Sequence, residues 1–223
     1  MSAKLFLQAI LKYLAGILMV GVLVFLPAGS FAYTGGWIFM GILFVPMFFA
    51  GIVMMIKSPD LLKSRLKAKE SEGSQKLVIG LSLLMFIGAF VVAGLNFRFK
   101  WLELPLWSSI AGAAVFLIAY ILYAEVLREN AYLSRTIEVQ EGQKVIDTGL
   151  YGVVRHPMYM VTLFLFLSMP FVLGSLFSFI IMLAYIPIIV VRIINEEKFL
   201  EKELTGYAEY KKKVRKRLIP FIW

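Results

Sequence analysis

Long uncharged stretches alternate with short charged ones along this chain, and that alternation sets the architecture before any single residue does. Four stretches carry no Asp, Glu, Lys or Arg: 13–56 (44 residues), 77–97 (21), 104–124 (21) and 157–191 (35). About 20 apolar residues in a helix cross a bilayer, because about 30 Å of hydrocarbon divided by about 1.5 Å per residue gives that length. Each stretch of 21 therefore predicts one crossing helix. The stretch of 44 predicts two, broken near Pro27-Ala28-Gly29-Ser30 or at Gly35-Gly36, where proline and glycine favour a turn.

The stretch of 35 suits neither count. As one helix it would be roughly 52 Å long, too long for one crossing. Halved at Pro170 and Gly174-Ser175, each arm reaches only about 24 Å, slightly short of one. It predicts a tight hairpin of two short helices, with Pro187 kinking the second arm and freeing a backbone carbonyl. A non-ideal segment of this kind hints at a pocket, although kinked helices are common in membrane proteins for other reasons. The expected fold is an all-α integral membrane protein of five to six transmembrane helices. It forms one membrane domain over 1–223, with four helices in 1–127 and a C-terminal helical hairpin with a cytoplasmic cofactor pocket in 128–223.

The polar connections have their own patterns. Residues 57–76 open on Ser58-Pro59-Asp60 and predict a short basic amphipathic segment at the membrane surface, ending at Gly73. In 128–148, Val139, Val145 and Ile146 around Glu141-Gly142 predict a small extended turn, with a short loop helix as the alternative. Phe199, Leu200, Leu204, Tyr207 and Tyr210 recur at helical spacing and predict a helix over 195–217, interrupted at Gly206. The end of the chain is expected to dock at the membrane interface through Trp223.

Composition agrees with the pattern. At 61% hydrophobic, 17% charged and a mean hydropathy of +0.84, the chain belongs to the integral membrane class. Alternate connections hold 20 and 2 of the 23 basic residues, with Arg192 left at a helix end. That asymmetry predicts both termini, the 57–76 loop and the 128–155 loop on the cytoplasmic side. The net charge of +9 then reads as orientation and attraction to anionic lipid. Nucleic acid is a poor fit, since the basic residues flank membrane segments. A signal peptide over the first 32 residues, with Ser30 and Ala32 at cleavage positions, is disfavoured because Lys12 interrupts it. The chain has no cysteine, which excludes disulfides, iron–sulfur clusters, thiolate zinc sites and prenylation or palmitoylation of this chain itself. Oligomeric state is not legible.

Candidate chemistry gathers at the two ends of the stretch of 35. Before it stands Gly149-Leu150-Tyr151-Gly152-Val153-Val154-Arg155-His156-Pro157-Met158-Tyr159, with the only histidine; after it stands Arg192-Ile193-Ile194-Asn195-Glu196-Glu197. A chain folding back through a membrane brings these clusters together. One histidine without cysteine leaves too few good ligands for a metal, so no metal is expected. Pro157 suits the first turn of a helix, whose free N–H groups can receive an anion. Arg192 and Glu196, four apart, share a helix face with Glu197 adjacent. Alone they would read as a surface ion pair, worth about 0.3–0.5 kcal/mol. Directly after 187–191 they lie near membrane depth, where charge costs about 2.5–3.5 kcal/mol at the centre and marks a site. A guanidinium can hold a carboxylate with two parallel hydrogen bonds, and the glutamates can receive ribose hydroxyls or an ammonium. The mixture suits a zwitterionic, sugar-bearing ligand.

These motifs resemble the isoprenylcysteine carboxyl methyltransferase and phospholipid methyltransferase superfamily of integral membrane enzymes. The resemblance includes Asn130, Ser134-Arg135-Thr136 and Gln143-Lys144-Val145, and continues through Leu204-Thr205-Gly206-Tyr207, Tyr210 and Arg217-Leu218-Ile219-Pro220-Phe221-Ile222-Trp223. It covers roughly the last hundred residues; the first 125 match only as generic membrane helices. The resemblance implies S-adenosylmethionine as methyl donor. Tyr151, Arg155, His156, Pro157, Tyr159, Glu196 and Glu197 would line its pocket, and Arg192 would hold the acceptor or help to. Arg192 and Glu196 are the expected catalytic pair; for an amine acceptor, Glu196, Glu197 or His156 are the candidates to take the proton. Leu150 stands where the family commonly has proline and Val161 where glycine is common, departures that bear on the acceptor more than on the cofactor. The expected activity is methyl transfer to a lipophilic small molecule or lipid, first carboxyl O-methylation of an isoprenylcysteine-like substrate, then amine N-methylation of a phospholipid. Two other readings stay open: a membrane reductase with a nicotinamide cofactor, and a non-catalytic membrane protein that keeps a related pocket.

Overall fold

The computed structural model describes residues 3–66, 73–134 and 137–223. It is 75% helical, with no strand among the described residues. Helix α1 (Ala3–Ala28) stops where Gly29 adopts a φ of 63°, and the Gly29 N–H closes the last turn on the Phe25 carbonyl at 3.0 Å. A side chain there would be strained, so glycine sets the break. Helix α2 (Thr34–Lys57) begins after the turn, which leaves Gly35-Gly36 inside it. A short helix α3 (Pro59–Leu66) leads towards α4 (Gly73–Phe99), and α5 (Leu106–Glu129) completes the N-terminal set. Residues 67–72, the expected end of the amphipathic segment, and Arg135-Thr136 lie outside the described residues.

The stretch of 35 is a hairpin of unequal arms. Helix α6 (Pro157–Val172) has 16 residues; α7 (Leu176–Met182) and α8 (Tyr185–Glu203) together make a 28-residue span. The expectation of two short arms is therefore corrected for the second, which gains its length by running on past Arg192 into the charged segment. The turn sits at 173–175, where Gly174 has a φ of 66° and the Ser175 Oγ accepts from the Ser178 N–H at 3.2 Å. Pro170 stays inside α6. Pro187 acts as expected: it lacks the N–H that would take the Leu183 carbonyl, and the helix breaks at 183–184. That carbonyl accepts from the Ile186 N–H at 3.1 Å instead. With α1, α2, α4 and α5, the composite span gives five helices long and apolar enough to cross a membrane, plus the shorter α6.

Lipid is as apolar as leucine, so these helices associate by close fit at small residues. A Cβ on Gly94 of α4 would lie 2.6 Å from the Val24 carbonyl oxygen of α1; one on Gly112 of α5 would lie 2.7 Å from Phe171 of α6. Backbone meets backbone at both crossings. At one end of the bundle the turns are tied by polar side chains: the Tyr33 hydroxyl donates to the Leu173 carbonyl at 2.5 Å, and the buried Asn96 amide donates to Leu102 and Gly174 carbonyls at 3.0 and 3.3 Å. At the other end, Arg65 of α3 donates to the Tyr123 hydroxyl and to the Ser134 carbonyl, and Lys12 donates to the Leu66 carbonyl. The clusters flanking the hairpin lie at this second end.

Beyond α8 the chain turns at Gly206, whose φ of 87° again favours glycine, into α9 (Tyr207–Lys213). The helix predicted to residue 217 ends at Lys213. Residues 214–217 leave it, and the Val214, Lys216 and Arg217 carbonyls accept from Arg155 and His156 instead.

Candidate functional site

Proline at 157 disfavours helical backbone at the residue before it, and His156 sits at φ −122°, ψ 61°. The buried N–H groups of Arg155 and His156 therefore need acceptors outside a helix. They find them in the Lys216 and Arg217 carbonyls, at 2.9 and 2.8 Å. The C-terminal segment is thus threaded beside the Arg155-His156 corner, which explains why it gives up helical structure.

Glu197 locks this joint from below. Its side chain is 3% exposed, and Oε1 accepts from Arg155 Nε at 2.7 Å while Oε2 accepts from Arg217 Nε at 2.9 Å. His156 Nε2 lies 3.2 Å from Oε1, so it meets an acceptor and carries the proton. Arg155 also donates to the Val214 carbonyl at 2.7 Å, and the Arg217 guanidinium lies 5.1 Å from the Trp223 ring centre. Trp223 folds back onto its own segment, accepting from the Leu218 and Ile219 N–H groups at 2.8 and 3.0 Å.

A second cluster forms beside the first, from Tyr159, three residues after His156, and from Arg192 and Glu196, which precede Glu197 on α8. The Tyr159 hydroxyl, in the first turn of α6, donates to Glu196 and accepts from Arg192 Nε at 2.9 Å. The Arg192 guanidinium lies 5.9 Å from the Tyr159 ring centre, and His156 stacks on the same ring at 5.7 Å with the planes 21° apart. Arg192 and Glu196 meet through a tyrosine that their spacing alone did not require.

Both clusters border one cleft of ≈ 820 Å³, counting its mouth open to solvent. Tyr151, Arg155, His156, Pro157, Tyr159, Arg192 and Glu196 all line it; Glu197 does not, and sits behind Arg155 and His156. Leu150 and Val161 pack into the main core, away from the cleft. The far wall comes from Asn130, Tyr132, Gln143, Lys144 and Val145, and the rim near α9 from Leu204, Tyr207 and Tyr210. Sequence reasoning gave these no role in the site, although several stand in the motifs of the resemblance. Their signal was position in a motif, not chemistry.

The wall residues are held by specific bonds. Asn130 donates to the Tyr151 hydroxyl at 3.0 Å, and the Tyr210 hydroxyl donates to the Tyr151 carbonyl at 2.7 Å. Burial pushes the Tyr151 and Tyr210 phenols well above their ordinary range, so both stay neutral at physiological pH. The expected extended turn is present: Gly142 has a φ of 71°, and Gln143 closes it through its N–H to the Gln140 carbonyl at 3.0 Å and its side chain to the Gln140 N–H at 2.9 Å.

Residues 107–205, just under half of the chain, match the phospholipid methyltransferase family. That family belongs to the isoprenylcysteine carboxyl methyltransferase-like superfamily of membrane methyltransferases. The match runs from α5 to the turn before Gly206; it includes the Arg155-His156 corner and the Arg192–Glu197 helix, and leaves out α9 and the tail. No curated protein matches the chain.

Proposed function

We propose that this membrane methyltransferase transfers a methyl group from S-adenosylmethionine to a lipophilic acceptor, with carboxyl O-methylation of an isoprenylcysteine-like thioether as the leading reaction. The observation that carries this reading is the meeting of Arg192, Tyr159 and Glu196 at the edge of a cleft whose other walls are polar and aromatic. The cleft suits a zwitterionic nucleoside ligand: carboxylate for ribose hydroxyls or an ammonium, cations for a carboxylate, and aromatic and aliphatic surface for a base. Glu196, with the first turn of α6 at His156-Pro157, would hold the cofactor. Glu197 would act at one remove, by fixing Arg155 and His156.

S-adenosylmethionine supplies, when bound, a methyl on a sulfonium that leaves as a thioether while the acceptor oxygen forms the new bond to carbon. The chain's own task is then placement. A carboxylate acceptor is already ionised at neutral pH and needs no base. Arg192 would orient it for in-line approach at roughly 3–3.5 Å, without neutralising the lone pair that attacks. Arg192 is itself aimed by Tyr159, and stands where the apolar span of α7–α8 meets the cleft. The acceptor would enter from lipid and the cofactor from water, on the cytoplasmic side that the charge asymmetry indicates.

A phospholipid amine is the second reading, favoured by the family matched. An amine must lose a proton, and Glu196 would be the nearest acceptor on α8. The two readings separate in one assay with radiolabelled S-adenosylmethionine, offering N-acetyl-S-farnesylcysteine or phosphatidylethanolamine to the purified protein in lipid. Label on the thioether, released by mild base as an ester should be, supports carboxyl methylation. Label in the amine head group supports the second reading. Label in neither overturns both.

A further inference from the structure

Two arginine–tyrosine pairs stand at the edge of the cleft, and the reaction described above uses only one. In that one, Arg192 donates to the Tyr159 hydroxyl, with its guanidinium 5.9 Å from the ring centre. In the other, Arg65 of α3 donates through Nη2 to the Tyr123 hydroxyl of α5, with its guanidinium 5.6 Å from that ring centre. Met158 links the pairs: it precedes Tyr159 in sequence, and its sulfur lies 3.6 Å from Arg65 Nη1. The same nitrogen donates to the Ser134 carbonyl at 3.3 Å. Ser134 and Met158 both line the cleft, so Nη1 points at the cleft wall from the α3 side.

The partners of Arg65 are all neutral. Arg155 and Arg217 pair with Glu197, and Arg128 pairs with Glu125, whereas no carboxylate among the described residues pairs with Arg65. Yet Arg65 is half-buried, and Tyr123 belongs to the uncharged stretch 104–124. A guanidinium held without a counter-charge at the edge of an apolar span is costly, and marks a site by default. Docking of α3 does not demand it, since Leu61 and Leu62 are buried and Lys12 already bonds the Leu66 carbonyl. Of its acceptors the Met158 thioether is the weakest, and its flexible side chain yields easily to an anion in the cleft.

We propose that Arg65 is a second anion-binding residue for the methyl acceptor, reached from the cleft past Met158, and that it selects acceptors with a carboxylate or phosphodiester near the methylated atom. The inference rests on the reading of the cleft as a methyltransferase site. It adds a residue from the N-terminal half, outside the matched stretch 107–205. Arg192 orients the reacting group, and Arg65 binds anionic charge beside it. A neutral alcohol or an uncharged amine in the bilayer offers this guanidinium nothing.

The test is Arg65→Gln and Arg65→Lys in the full chain in nanodiscs, with methyl transfer to N-acetyl-S-farnesylcysteine and to phosphatidylethanolamine measured against acceptor concentration. For the acceptor that wild type methylates, Arg65→Gln should raise KM about ten- to hundredfold, the size of a charge-assisted hydrogen bond. The kcat at saturating acceptor and the Kd for S-adenosylmethionine should stay within about threefold, as expected when uniform binding is lost. Arg65→Lys keeps the charge without the fork, so its KM should rise about three- to tenfold. A neutral competitor with the same tail, the prenylcysteine carboxamide or a diacylglycerol, should inhibit wild type and variants equally. The effect on the thioether identifies the anion as a carboxylate, and on the phospholipid as a phosphodiester. Wild-type KM in Arg65→Gln would overturn the proposal, and so would wild-type KM in Arg65→Lys if the Gln variant fails to fold. A lower melting temperature with kcat, cofactor binding and the neutral competitor all weakened together would make Arg65 a structural tie and overturn it too. Wild-type protein that methylates neither acceptor would overturn the methyl-transfer reading, and this proposal with it.

Discussion

Glu197→Gln should lower the stability of the protein by about 3–5 kcal/mol, the usual cost of leaving a buried cation without its counter-charge. Arg155, 5% exposed, loses its counter-charge in that variant, and the three donors Arg155, His156 and Arg217 share one amide oxygen and face an NH2 group in place of the second acceptor. The expected result is a large fall in melting temperature in nanodiscs and early proteolysis of the segment after α9. Arg217→Gln removes a donor whose side chain is 33% exposed and should cost about 1 kcal/mol or less. Cofactor binding should fall in the Glu197 variant as a consequence of lost structure. Glu197→Gln with a wild-type melting temperature and abolished binding would mean instead that this carboxylate touches the ligand directly.

Arg192→Ala should reduce kcat by about 10²–10³, the range found when one positioned electrostatic donor is removed from an active site. The Kd for S-adenosylmethionine should stay within about threefold, because the groups proposed to hold the cofactor remain. Arg192→Lys should recover little: a point charge cannot bond the Tyr159 hydroxyl through one nitrogen and present a planar edge through the others. Single-turnover methyl transfer at saturating cofactor reads this directly. A variant with unchanged kcat, or one with intact turnover and a collapsed Kd, would move Arg192 from the acceptor to the cofactor or out of the site.

Much of this was legible in the sequence because membrane physics leaves few choices. Uncharged length fixed the helices, and Gly29 and Gly174 mark turns that their left-handed backbone now explains. The convergence of the 149–159 corner on the Arg192–Glu197 helix followed from a chain that must fold back. The unequal hairpin was less legible, since the count of uncharged residues ended at Val191 while the helix runs on to Glu203. Helical spacing also could not show that residues 214–217 surrender their helix to the N–H groups freed ahead of Pro157. That demand comes from a residue some sixty positions away. Glu196 and Glu197 are adjacent and identical in type, yet one lines the cleft and the other lies behind it. Adjacent helical residues point about 100° apart, so a pair of this kind divides its work. Which member faces which way depends on helix rotation, which only the packed structure reveals.

The most direct measurement is equilibrium binding of tritiated S-adenosylmethionine to the purified chain in nanodiscs, alongside Glu196→Ala with its melting temperature checked. Saturable binding at one site per chain, displaced by S-adenosylhomocysteine and lost in a variant that still melts as wild type does, is the predicted result. A folded wild-type protein with no saturable binding at millimolar ligand would contradict the assignment of the cleft.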